Sequence, residues 1–274
     1  MMRILPDSLY LRLKYFIRMK KMLNIKRPQT FNEKLQWLKL HDRNPEYTKM
    51  VDKYEVRKYI AEKIGEEHLI PLLGVWDSFE EIDFDKLPAQ FVLKCTHDSG
   101  GLVVCKDKSK LNLELSRKKI NKCLKTNYYW HAREWPYKNV KPRIIAEQLM
   151  KDGDNNFLPV YKFFCFSGVP KIIQTIQNDK QPNESIDYFD TDWKLLNIRQ
   201  NYPNSEAPME KPEQLSKMLK IVECLSKGIK FVRVDLYSIN NKVYFSEFTF
   251  YSDAGFAKFH PEKQDYIIGS YIDL

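Results

Sequence analysis

"FVRVDLYSINNKVYFSEFTF", residues 231–250, is two runs rich in Val, Phe and Tyr on either side of Asn240-Asn241. It reads as a β-hairpin, because Asn accepts the backbone of a tight turn. Strand alternation puts Phe231, Arg233, Asp235 and Tyr237 on one face and Val232, Val234 and Leu236 on the other. On the returning strand Val243, Phe245, Glu247 and Thr249 share a face. A two-residue Asn-Asn turn sets Ile239 opposite Lys242 and splits Asp235 and Glu247 between faces. A slip of one residue, through a three-residue loop or a bulge, sets Asp235 opposite Glu247, Arg233 opposite Thr249 and Val234 opposite Phe248. Such a slip exchanges faces for a whole strand. Only the slipped register segregates polar from apolar, so an odd-length connection is expected.

Two carboxylates directly opposite on neighbouring strands repel, and an unpaired buried charge is expensive. Something cationic must sit between them. Arg233 alone can serve, which makes a charged cluster on a solvated sheet face. A divalent metal is the other reading, since Mg²⁺ takes oxygen ligands from one or two carboxylates and fills its octahedron with phosphates and water. The hairpin by itself leaves both open.

The rest of the chain narrows the choice. Its 274 residues allow one large domain or two small ones with a real core, and 43% hydrophobic with 30% charged residues is a globular composition. The net charge of +9 favours an acidic partner. The aromatic residues lie in apolar strand patterns and not along a basic stripe, which argues against nucleic acid. Five cysteines, odd in number and without CxxC spacing, suggest reduced, mostly buried thiols and neither a zinc site nor a disulfide framework. The histidines are scattered, with no Ser-His-Asp or Cys-His arrangement; His97 and Asp98 are expected to be solvated loop residues. No leader or bilayer-spanning run is evident, so a cytoplasmic location is expected. The basic stretch "SLYLRLKYFIRMKKMLNIK", residues 8–26, has Leu9, Leu13, Phe16 and Leu23 at helical spacing. It suits either the inner face of an anionic membrane or a helix packed on the body of the protein with its lysines in water.

Residues 1–65 read as a helical N-terminal region. Thr30 and Glu33 form a capping box ahead of Leu35 and Leu38. A single further helix, "EYTKMVDKYEVRKYIAEKIG", is expected to stop at Gly65. Residues 66–145 mix short strands with a helix, and residues 146–274 are mainly strands with one inserted helix before the hairpin. The expected fold class is α+β, with two mixed subdomains after the helical region. Two lysines sit inside apolar strands: Lys94 in "FVLKCTHDSGG", ahead of Ser99, Gly100 and Gly101, and Lys162 in "YKFFCFSG". Inward lysines need anionic partners, and glycine lets backbone N–H groups approach a phosphate. Two such lysines and two such acids together suggest a triphosphate held between metal and ammonium groups.

The order of these parts resembles the ATP-grasp superfamily. The blocks "FNEKLQWLKLHDRNPEYTKMVDKYEVRKYI", "LIPLLGVWDSF", "FVLKCTHDSGG", "REWPYKNVKPRIIAEQLM", "YKFFCFSG" and the hairpin resemble its TupA-like branch, named for teichuronopeptide biosynthesis, from about residue 30 to the end. The resemblance implies an ATP-grasp fold whose two subdomains clasp ATP, with Mg²⁺ as cofactor. By resemblance Lys53 belongs to an Asp-Lys pair that opens the nucleotide site. Lys94 contacts phosphates, and Ser99, Gly100 and Gly101 form the loop that covers them. Glu147, Gln148 and Leu149 resemble the hinge that meets adenine and ribose, and Lys162 a further phosphate contact. Asp235 and Glu247 resemble the Mg²⁺ pair, with Thr249 where many such enzymes have Asn as a further ligand. Arg233 then stabilises the transferring phosphoryl group.

The implied activity is an ATP-dependent carboxylate–amine ligase working through an acyl-phosphate in cell-surface polysaccharide biosynthesis. Its partners are a small-molecule or saccharide carboxylate and an amine. Two alternatives stand beside it. One is a sugar-nucleotide glycosyltransferase using the "DTD" of residues 190–192. The other is a non-catalytic ATP-binding protein.

Overall fold

The computed structural model describes residues 3–98, 100–152, 158–179 and 181–274. Helices α1 (Asp7–Met19), α2 (Phe31–His41), α3 (Glu46–Val51) and α4 (Val56–Ile64) come first. Strands β1 (Leu72–Trp76), β2 (Phe91–Cys95) and β3 (Leu102–Cys105) lead to helices α5 (Leu113–Leu124) and α6 (Tyr129–Ala132), then β4 (Ile144–Gln148). Strands β5 (Val160–Phe166), β6 (Val169–Gln177) and β7 (Ser185–Phe189) precede α7 (Leu215–Ser226). The hairpin β8 (Phe231–Ile239) and β9 (Lys242–Thr249) and helix α8 (Lys263–Ser270) finish the chain.

Two compact units form, Asn44–Lys151 and Met1–Arg43 with Asp152–Leu274. The helical stretch 1–65 is therefore not one region. Phe31 at the head of α2 packs edge-on against Phe231, ring centroids 4.9 Å apart, which ties the first two helices to the β8 sheet. The next two are held in the other unit, where Asp52 pairs with Arg143 at 3.0 Å. The same acid breaks the single helix expected over residues 46–65. Its Oδ1 accepts the backbone N–H groups of Tyr54 and Glu55, at 2.8 and 3.2 Å, and so starts a new helix after α3 ends.

In Asn44–Lys151 the four strands are antiparallel in the order β1-β4-β2-β3. Asn112 caps α5 by accepting the Leu115 N–H at 2.9 Å. The helix then lays Ser116, Ile120 and Cys123 towards β2 and β3, and Phe91, Leu93 and Cys95 of β2 with Ile144 and Ala146 of β4 complete the core.

The other unit carries an antiparallel five-stranded sheet, order β7-β6-β5-β8-β9. Helix α7 buries Met218, Val222 and Leu225 against β5, β6 and β8. Cys165 lies beside Ser226 at the end of α7, so the helix covers the face that holds Phe163, Cys165, Val232 and Val234. Lys162, Arg233 and Asp235 are on the opposite face.

The hairpin has the slipped register: Asp235 faces Glu247, Arg233 faces Thr249 and Val234 faces Phe248. The connection, however, is not odd. Asn240 and Asn241 are both left-handed, φ 48° and 59°, and close a two-residue turn with Ile239 opposite Lys242. The slip comes from a bulge, with Leu236 opposite Phe245 and Asp235 opposite Glu247, so Ser246 is the extra residue. A bulge at this place re-aims Glu247 and increases local twist.

The capping box on α2 is complete, Thr30 Oγ1 accepting the Glu33 N–H and Glu33 accepting the Thr30 N–H, both at 3.2 Å. Thr30→Ala is expected to cost about 1 kcal/mol of stability, a fall of about 2–4 °C in melting temperature for a chain this size. Thermal unfolding followed by circular dichroism checks this.

Candidate functional site

Cross-strand registers build a polar row over all five strands of the larger sheet: Tyr188, Gln174, Lys162, Asp235 and Glu247 are successive neighbours. Asp235 is 1% exposed and Arg233 7%. Arg233 Nε and Nη2 donate to the two oxygens of Asp235 at 2.8 and 2.9 Å, a bidentate pair. Its Nη1 donates to Ser252 Oγ at 3.2 Å and its Nη2 to Thr249 Oγ1 at 3.0 Å. Lys162 Nζ lies 3.9 Å from Asp235 Oδ2, and Glu247 Oε1 lies 3.9 Å from Arg233 Nη2. Burial works against the Arg233 charge, yet Asp235 beside it more than compensates and holds the guanidinium's pKa above its usual range. Lys162 goes the other way: burial, then the neighbouring Arg233 charge, lowers its pKa.

The segment after β9 completes this face. Asp253, Ala254 and Gly255 are consecutively left-handed, φ 48°, 53° and 65°, a conformation that costs free energy at the two non-glycine positions. Helix α2 holds it. Gln36 Nε2 donates to the Gly255 carbonyl at 2.7 Å and buried Lys39 Nζ to the Ala254 carbonyl at 2.7 Å. Asn32 Nδ2 donates to the Ala257 carbonyl at 2.9 Å. Ser252 is thereby fixed against Arg233.

Can these residues hold Mg²⁺? Asp235, Glu247 and Thr249 offer only hard oxygen donors, which suits the ion. Each carboxylate oxygen can accept twice, so the Arg233 pair does not exhaust Asp235. Arg233 and Lys162 nevertheless put positive charge beside it, and a bare dication meets repulsion there. The set fits a dication that arrives with phosphates, whose charge the arginine and lysine would share.

The second group of expected residues lies within Asn44–Lys151. Lys94 Nζ donates to Glu147 Oε2 at 2.6 Å, and Arg57 Nη1 to Glu147 Oε1 at 3.1 Å. Arg57 Nη2 also donates to the Ile70 carbonyl at 2.8 Å, and burial lowers the arginine's pKa. Two sequence-expected residues, Lys94 and Glu147, are thus directly paired, and the sequence reading missed Arg57. Gln148 donates its N–H to the Pro71 carbonyl at 3.0 Å as β4 ends, with Leu149 half-buried beyond it. Lys53 reaches the glycine loop, its backbone N–H donating to Thr96 and its Nζ to the Asp98 carbonyl.

That loop is anchored from below. Asp98 accepts the Gly101 N–H at 3.0 Å and the Cys123 thiol, and His97 Nε2 is 3.1 Å from the Cys123 carbonyl. His97 and Asp98 are buried, 2% and 8% exposed, and not solvated as the sequence reading had them. A Cβ at Gly101 would fall 2.5 and 2.6 Å from the Cys95 and Cys123 sulfurs, so only glycine fits there; Gly100 has no such constraint. Ser99 lies outside the described residues. The "DTD" acids make a turn: Asp190 Oδ1 accepts the N–H groups of Asp192 and Lys194, at 3.0 and 2.8 Å.

Sequence reasoning also missed Gln174, Tyr188 and Ser252. Gln174 was detectable by the signal that picked out Lys162, a polar residue inside an apolar strand. Its Nε2 donates to Tyr188 Oη at 3.1 Å, while its buried Oε1 has no protein partner.

Comparison with known proteins gives one family. The profile described as TupA-like ATPgrasp matches residues 33–273. No curated protein matches the chain. Among solved structures, D-alanine–D-alanine ligase from Bacillus anthracis complexed with ATP is similar at 17% identity and a TM-score of 0.42, over 73% of this chain and 53% of that one. The biotin carboxylase domain of Hydrogenobacter thermophilus 2-oxoglutarate carboxylase, with MgADP, is similar at 14% identity and a TM-score of 0.46, over 88% and 45%. The chain spans about half the length of these structures.

Two substitutions separate the roles on the polar row. Asp235→Asn leaves Arg233 buried without its countercharge and is expected to cost about 3–5 kcal/mol, read by denaturant unfolding. Lys162→Met removes a buried ammonium while the Arg233–Asp235 pair stays intact, so the variant should be at least as stable as the parent at neutral pH. The folded pKa of Lys162 lies below the unfolded one. Its penalty is therefore full below the folded pKa and fades as pH rises towards the ordinary lysine value, so the two proteins' stabilities should converge in alkaline solution. A parent more stable than Lys162→Met at neutral pH would contradict this.

Proposed function

The chain belongs to the TupA-like ATP-grasp family, and from that premise we propose that it is an ATP-dependent, Mg²⁺-requiring ligase joining a carboxylate to an amine in cell-surface polysaccharide biosynthesis. The observation that carries the reading is Asp235 opposite Glu247 on one sheet face, with Arg233 and Lys162 beside them. Carboxylates without cations would make a calcium-like site, and cations without carboxylates an anion site. Both together suit a metal–phosphate complex.

In this reading Asp235 and Glu247 would hold the ion, whose charge would screen the phosphates. Thr249 bonds to Arg233 and steadies it, with its hydroxyl also available as a weak further ligand. Arg233, buried and fixed by Asp235, Ser252 and Thr249, presents a positive charge that needs no reorganisation as the γ-phosphoryl group moves. Lys162 supplies a second, whose burial makes it the more sensitive to an arriving anion. Within Asn44–Lys151, Lys94, Lys53 and the Gly100–Gly101 turn are the candidate phosphate contacts, and Glu147, Gln148 and Leu149 the candidate nucleoside contacts. The carboxylate oxygen of the acceptor would attack the γ-phosphorus as the bond to ADP breaks; the amine nitrogen would then attack the acyl carbon and lose a proton to solvent as phosphate leaves.

Glu247→Gln tests the metal assignment, because this side chain is 38% exposed and its loss should leave the fold intact. Calorimetric affinity for Mg-ATP is expected to fall by roughly tenfold or more, the loss of one charged ligand, with unchanged thermal unfolding. An unchanged affinity would remove Glu247 from the site. The acyl-phosphate step has its own readout. With a panel of uronic acids and amino acids labelled in the carboxylate with heavy oxygen, one labelled atom should appear in the released phosphate. Unlabelled phosphate from a turning-over acceptor would contradict that route.

A further inference from the structure

Helix α1 presents two unlike faces. Tyr10, Leu11, Tyr15 and Met19 are buried against the body of their unit. Leu9, Leu13, Phe16 and Ile17, spaced for one stripe, are 44%, 48%, 52% and 60% exposed. Arg12 and Lys20 fall on that same side, and Ile4 and Met22 extend the apolar surface beyond the helix ends at 87% and 74% exposed. Exposed large apolar residues occur singly on any protein surface, but a contiguous stripe on one helix marks a contact surface.

The charge around the stripe selects the partner. Residues 3–29 hold eight Lys and Arg against one acid, Asp7. That acid is already paired with Arg43 at 3.0 Å, and of the eight cations Lys21 is paired with Glu262 from later in the same unit. The stripe is thus an apolar strip set in positive charge. A second copy of the same face would bring Arg12 and Lys20 against their own equivalents, which is unfavourable. A surface of dispersed negative charge over hydrocarbon satisfies both halves. Lysine and arginine reach headgroup phosphates while their stems and the apolar side chains enter the acyl boundary. Helix α1 has 13 residues, too few to span a bilayer, so a contact through it lies on the surface.

We propose that α1, through Leu9, Leu13, Phe16 and Ile17 flanked by Arg12 and Lys20, docks the protein onto an anionic phospholipid bilayer. The proposal rests on this helix alone and stands or falls separately from the nucleotide site.

The test is sedimentation of the full chain with phosphatidylglycerol–phosphatidylcholine vesicles, with pure phosphatidylcholine vesicles and without vesicles. Binding is expected with the anionic vesicles, weaker with the neutral ones, and weakened by added salt. The doubly substituted Phe16→Ser, Ile17→Ser protein should bind anionic vesicles on the order of tenfold more weakly, with an unchanged circular dichroism spectrum and unfolding curve. Leu195→Ser, which removes an equally exposed apolar residue far along the chain, should bind as the parent does. Absence of binding to anionic vesicles, or binding unaffected by the double substitution, overturns the proposal. So does a vesicle-free dimer that the double substitution dissolves, since the stripe would then be an interface between copies.

Discussion

The buried ion pair between Arg233 and Asp235 sets the terms for everything around it. Taking two charges out of water costs several kcal/mol each, and their attraction offsets that only where geometry is good and every remaining donor is met. Here the fork of the guanidinium lies along both carboxylate oxygens, and its other contacts are Thr249 and Ser252. Each of those partners carries a requirement of its own. Thr249 must stand opposite Arg233, which needs the slipped register and hence the bulge at Ser246. Ser252 must be held in place, which needs the left-handed turn at Asp253–Gly255 and the amide and ammonium that α2 aims at its carbonyls. A helix more than two hundred residues earlier in the chain is therefore part of the same construction.

The hairpin register was legible because alternation punishes a wrong answer: Asp235 and Glu247 would be split between faces, and one strand's polar side chains would go to the face that α7 covers. The device that produces it was not. A three-residue loop and a bulge shift the strands equally, and only the turn conformations of Asn240 and Asn241 distinguish them. Lys94 and Glu147 were each legible as functional candidates, but not as partners. Their contact spans 53 residues and depends on how β2 and β4 align, which no local pattern encodes. Arg57 was hidden for the same reason. The break at Asp52 escaped because periodicity continues straight through it; what ends the helix is a buried carboxylate that prefers backbone N–H groups and Arg143. His97 and Asp98 looked like solvated loop residues, and the thiol and carbonyl of Cys123 beneath them made them buried ones.

Organisation of charge is the common feature of both units. In Asn44–Lys151 the Glu147 carboxylate is bridged by Lys94 and Arg57. In the larger sheet Asp235 is bridged by Arg233, with Lys162 behind it. In the proposed reading each arrangement places cations on fixed stems before any ligand arrives, which would lower the ordering cost of binding a polyanion. It also makes a free dication a poor guest beside Asp235, while a dication already carrying phosphate charge is a good one.

That asymmetry is open to direct measurement. Mn²⁺ can stand in for Mg²⁺, and its electron paramagnetic resonance signal reports the free ion. Titrated into the protein alone, Mn²⁺ should remain free; titrated with ATP present, it should be taken up one-to-one with the protein beyond what ATP in solution binds. Equal uptake with and without ATP would contradict the account, because Asp235 and Glu247 would then be a self-sufficient metal site that Arg233 and Lys162 do not oppose.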